Sequence, residues 1–116
     1  MESILDTIKQ LLGIPIEDES FDTDINVYIN TITPNLAQMG IGPKNGFIVI
    51  SKDQLWSEYV DSTIINLEGV KQYIYLKVKL IFDPPTNSTT VQAINDSLKE
   101  LEWRMMLAVE TNNLET

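Results

Sequence analysis

Apolar residues at helical spacing open the chain. Ile4, Leu5, Ile8, Leu11 and Leu12 fall on one side of a helical wheel, which predicts a short amphipathic helix over residues 2–12. Gly13 offers the left-handed position that ends a helix, and Pro15 prevents continuation. An acidic polar stretch follows, Glu17-Asp18-Glu19-Ser20-Phe21-Asp22, in which Ser20 or Asp22 is placed to cap the next helix. From Asp24 onward Ile25, Ile29, Ile32, Leu36 and Met39 form one stripe, predicting a continuous helix of about 16 residues. Pro34 lies inside it and lacks the amide hydrogen, so a kink or a new turn is expected at Thr33. Gly40, Gly42, Pro43 and Gly46 then make a mid-chain loop. Phe47-Ile48-Val49-Ile50 reads as a short extended run, and Ser51–Tyr59 as a short helix.

Residues 70–82 carry two patterns at once. Leu76, Val78, Leu80 and Phe82 alternate with Lys77, Lys79 and Ile81, which favours a strand. Val70, Tyr73, Ile74, Val78 and Ile81 equally fit one face of a helix, so period alone leaves both open. Asp83-Pro84-Pro85 stops either element, because proline lacks the amide hydrogen and restricts the residue before it. In the last element Val91, Ile94, Leu98, Leu101, Met105 and Ala108 recur at helical spacing. Its start offers Thr86, Asn87, Ser88 and Thr89 as caps, and Thr89 with Gln92 fits a capping box. Trp103, Met106 and Leu107 lie off that stripe. A single face cannot bury all of them within one small domain, so these three predict either a docking surface, the reading favoured, or a helix central to the bundle and buried all round.

Composition acts mainly by exclusion. The 116 residues predict one domain, residues 1–116 with its core over about 2–110, large enough to need no disulfide or metal. With no cysteine and no histidine, a thiolate nucleophile, a histidine-based triad and a typical zinc site are ruled out. The acids at 17–22 lack the glycine of a calcium loop, and Gly40–Gly46 lacks the spacing of a phosphate loop. No catalytic, cofactor-binding or metal-ligating residue is therefore predicted, and no enzyme activity. A net charge of −9 argues against specific nucleic-acid binding, which needs clustered positive charge. The acidic start is no signal peptide and no apolar run approaches membrane length, so a soluble protein made inside a cell, with no membrane partner, is expected. Charge is also unevenly placed. Residues 1–40 carry one lysine against seven acids, residues 41–82 five lysines against four, and residues 83–116 two bases against six. Complementary surfaces on neighbouring subunits and solvated faces of one small domain both fit that distribution.

Tyr73-Ile74-Tyr75-Leu76-Lys77-Val78-Lys79-Leu80-Ile81-Phe82-Asp83-Pro84-Pro85, followed by Glu100-Leu101-Glu102-Trp103-Arg104, resembles the head–tail connector (adaptor) proteins of tailed bacteriophages and prophages. Phe21-Asp22-Thr23-Asp24-Ile25, Tyr28-Ile29-Asn30 and Gln38-Met39-Gly40-Ile41-Gly42-Pro43 are similar to versions in phages of Gram-positive hosts. The resemblance covers about residues 2–110. Pro34 and the pair Met105-Met106 depart from the pattern.

The resemblance implies an all-α fold, a small bundle of four to five helices with a long terminal helix and a mid-chain loop, and it favours helix over strand at 70–82. It implies a structural virion protein, a subunit of a homo-oligomeric, twelve-fold ring beneath the portal that joins head to tail and extends the DNA channel. The portal protein and a stopper or tail-completion protein are the expected partners, and DNA passes without being specifically bound. The place is the virion neck, reached from the host cytoplasm during assembly. Trp103, Arg104, Met106 and Leu107 are the expected partner interface, and Ile25, Ile29, Ile32, Leu36, Ile74, Val78, Leu98 and Leu101 the expected core. Two other readings compete: a small acidic phage-encoded regulator binding a host protein, and another neck or tail-completion protein.

Overall fold

Local chemistry sets the helix ends. The computed structural model describes residues 2–63 and 65–115, with side chains as far as Thr111. The described residues form α1 (Ile4–Leu11), α2 (Asp22–Gln38), α3 (Trp56–Tyr59), α4 (Leu67–Phe82) and α5 (Ser88–Glu115), with no strand among them. At the start of α1, the Ser3 hydroxyl accepts from the Asp6 amide, which fills one of the unpaired donors of a first turn. α1 and α2 end alike. Gly13 and Gly40 sit at φ 81° and 89°, and the following amides of Ile14 and Ile41 reach back to the Lys9 and Leu36 carbonyls at 2.9 Å. This is the Schellman closure, which favours glycine because a Cβ is strained at positive φ.

Four local expectations are corrected. α2 starts without a side-chain cap: Phe21 holds the N-cap position, Ser20 donates its amide to Asp18, and Asp22 turns to Lys9 instead. α5 uses no Thr89–Gln92 capping box. The Asn87 side chain accepts from the Thr89 and Thr90 amides, while Gln92 bonds Asp96. The short helix expected over Ser51–Tyr59 is confined to Trp56–Tyr59. The strand pattern at 70–82 loses to a helix capped by Asn66, whose side chain accepts from Glu68 and Gly69. The reason lies in burial. α4 hides Val70, Tyr73, Ile74, Leu76 and Val78 against three neighbours, so apolar residues all round are satisfied without a sheet. The new turn expected at Thr33 is corrected as well: α2 runs as one helix from Asp22 to Gln38 with Pro34 inside it.

α4 is the hub, packing on α1, α2 and α5, while α1 also packs on α2. The shared core includes Ile4, Ile8, Ile25, Ile29, Ile32, Leu36, Trp56, Ile74, Val78 and Leu98, all buried; Leu101 is half-buried at its edge. Edge-on contact of Phe21 with Phe82, 5.3 Å between ring centres, closes the start of α2 onto the end of α4. The 16 residues of α4 measure about 24 Å and the 28 of α5 about 42 Å, so the last helix outruns its partner. That length matches the molecule's longest dimension, 44 Å.

Two glycines make a paired prediction. Gly13 and Gly42 share a positive φ, but a Cβ at Gly13 meets open space while one at Gly42 would lie 2.5 Å from Tyr59 Cε1. Gly13→Ala is expected to cost about 1–3 kcal/mol from backbone strain alone. Gly42→Ala is expected to cost clearly more, because a buried ring must also move. Urea denaturation of both variants checks the order.

Candidate functional site

α5 carries its core stripe on one side only. Ile94, Leu98 and Met105 are buried, and Val109 reaches over to Gly40 at the end of α2. At 3.6 residues per turn, Trp103 and Leu107 lie about 140° and 180° round the axis from Leu98. They therefore point away from the bundle: Trp103 is 64% exposed, and Met106 and Leu107 about half. Arg104 is exposed beside them and donates to Glu100 at 2.6 Å along the helix surface, the i, i+4 pair expected of a solvated face. Four residues singled out as a partner interface thus form one exposed surface on the outer side of the second half of α5, an indole and two flexible apolar side chains beside an ion pair.

The hairpin of α4 and α5 brings the two sequence motifs together. The Tyr73 hydroxyl donates to the Glu102 carboxylate at 3.0 Å, and Lys77 lies over the Tyr73 ring at 5.6 Å. Burial, and then the neighbouring carboxylate, push the Tyr73 phenol above its ordinary pKa. This ties the exposed half of α5 to the hub helix.

A second exposed apolar surface escaped the sequence reading. Phe47–Ile50 is extended, but no strand pairs with it. Side-chain amides do the pairing instead: Asn30 on α2 accepts from the Val49 amide at 2.8 Å and donates to the Val49 carbonyl at 2.9 Å. Gln54 bonds Ile48, Ile50 and Ser51 on the other edge, and Thr33 donates to the Phe47 carbonyl. With Val49 turned inward, Ile48 and Ile50 must turn out, and they are 65% and 76% exposed. The signal was present in the sequence: four consecutive apolar residues in an extended run cannot all face one core. Beside Ile48 a cleft of about 570 Å³ opens between α2 and the loop, lined by Thr33, Pro34, Ala37, Lys44 and Phe47 among others.

Lys71 and its acidic partners serve the fold. Lys71 donates to both Glu2 oxygens at 2.9 Å and lies 5.9 Å from the Trp56 ring, while the Trp56 indole donates to Thr7. Burial opposes the Lys71 charge, but hydrogen bonds to Glu2 and Glu68 outweigh it and hold the ammonium above its usual pKa. The same contact lowers Glu2. Among the described residues no cluster of acids is placed to hold a metal ion, and no helix is long and apolar enough to cross a membrane.

A family model described as phage connector protein matches residues 4–112, so the chain belongs to that family. No curated protein and no solved structure matches significantly.

Proposed function

We propose that this phage connector protein, a structural component of the head–tail junction, is the adaptor subunit of a homo-oligomeric ring beneath the portal. The ring joins head to tail, extends the DNA channel and presents a lower surface to a stopper or tail-completion protein. The observation that carries this reading is the exposed face of Trp103, Met106 and Leu107 on the outer side of the second half of α5, in a chain whose family match spans nearly its whole length. Contiguous exposed apolar side chains mark protein contacts, and tryptophan is enriched among the residues that dominate binding energy. An excess of acids suits a channel that passes DNA without gripping it, because like charge repels the phosphates.

The test separates folding from assembly. Met106→Asp with Leu107→Ser is expected to leave the melting temperature of the isolated subunit nearly unchanged, since both side chains are half in water. The same variant is expected to lose assembly with portal particles, read as particle mass by analytical ultracentrifugation. Truncating an anchor of this kind typically lowers affinity on the order of thirtyfold. A wild-type chain whose mass never depends on portal would favour the regulator reading instead. An isolated variant that unfolds would place Met106 and Leu107 in the fold rather than the contact.

A further inference from the structure

We propose that the outer face of α5 on one copy of this chain seats against the Ile48–Ile50 ridge and its neighbouring cleft on the next copy, as a head-to-tail contact. The inference rests on the ring reading above and names the surfaces that would build the ring. Each patch is apolar and exposed among the described residues. One is a knob, with Trp103 standing 64% exposed on the far side of α5 from the core. The other is a ridge beside a hollow, with Ile48 at the lip, Phe47, Pro34 and Ala37 in the wall, and Ile50 exposed farther along the run.

Charge commits the knob to this occupant. Residues 44–53 hold Lys44 and Lys52 against Asp53; both lysines are exposed, and neither makes an ion pair among the described residues. Residues 96–110 hold Asp96, Glu100, Glu102 and Glu110 against Lys99 and Arg104. Glu102 is already bonded to Tyr73, whereas Glu110 is exposed two residues short of the far end of the family match. Opposite charge around two apolar centres sets the register of a contact and disfavours like-to-like pairing. The patches also sit on different elements, one on the long helix packed against α4, the other on a loop carried by α2. A contact between two different patches leaves each copy with one free knob and one free ridge. Such a contact propagates, and closes into a ring when the rotation allows.

The rigidity of the ridge supports the same conclusion. Asn30, Thr33 and Gln54 already satisfy the backbone on both edges, so an added strand would have to displace them. What remains available is the side-chain surface, which suits a helix face.

The absence of native cysteine makes the test clean. Ile48→Cys with Met106→Cys, oxidised in the full chain alone and on portal particles, is expected to give a ladder of crosslinked multimers on non-reducing gels. Each single-cysteine variant alone is expected to crosslink little, while their mixture gives one-to-one dimers and nothing larger. Absence of the ladder in particles whose mass is that of an assembled ring overturns this contact and leaves the ring reading standing. Single variants that dimerise as fully as the mixture overturn it in favour of like-to-like pairing. A chain that stays monomeric both alone and with portal overturns the ring reading itself. Lys44→Glu with Lys52→Glu reads the contact without cysteines. It is expected to weaken assembly on the order of tenfold, with partial recovery on adding Glu110→Lys. An unchanged assembly mass in the lysine variant overturns the contact.

Discussion

Asp22→Ala is expected to lower the unfolding free energy by about 3–5 kcal/mol, the cost of leaving an ammonium buried without its counter-charge. Lys9 lies on α1 at 1% exposure, donating to the Ile16 carbonyl at 2.9 Å and pairing with Asp22 at 2.8 Å. One amine therefore joins the end of α1, the connecting loop and the start of α2. Removing the aspartate leaves that amine with the Ile16 carbonyl and without its counter-charge. Removing the lysine is different. Lys9→Met keeps the volume of the stem, and the Asp22 side chain, 24% exposed although its Oδ1 is buried, keeps part of its contact with water. Lys9→Met is thus expected to cost less than half as much, and the double variant with Asp22→Ala less than Asp22→Ala alone. Urea titration of the three variants decides it. Equal costs for the two single changes would mean that the loss is one of packing rather than of charge.

Ile74→Ala is expected to cost about 2–5 kcal/mol, because the side chain is fully buried in the helix that touches three others. The cavity it leaves borders several elements, none of which can move in without losing contacts elsewhere. Ile81→Ala, in the last turn of the same helix but 48% exposed, is the control and is expected to fall within about 0.5 kcal/mol of wild type. Thermal denaturation of the pair measures the difference. Similar melting temperatures for the two variants would contradict the placement of α4 as the hub.

Local signals carried much of this protein in plain view. A helix satisfies its hydrogen bonds within four residues, so the stripes of α1, α2 and α5 and the stops at Gly13, Gly40 and Asp83-Pro84-Pro85 were legible one segment at a time. The family was legible too, in the segments from Tyr73 to Pro85 and from Glu100 to Arg104, which fold as the two legs of one hairpin joined through Tyr73 and Glu102. Caps were harder, since several adjacent side chains compete for the same amides; Asn87 prevailed over Thr89 because it reaches two of them at once.

Tertiary structure decided whatever depends on a neighbour distant in sequence. Residues 70–82 alternate like a strand and repeat like a helix, and only three packing partners around α4 make the helix the better burial. Phe47–Ile50 has the composition of a strand, yet a ladder needs a second chain segment and none is there. Asn30, seventeen positions before Phe47, supplies the pairing and thereby turns Ile48 and Ile50 to water. Lys9 is buried because the loop and α2 close over it, which nothing in the α1 stripe foretells. The sequence by itself therefore determined the stripes of α1, α2 and α5 and where α1, α2 and α4 must stop. The three-dimensional packing determined which faces are left bare, because exposure depends on the elements that fold against a residue rather than on its sequence neighbours.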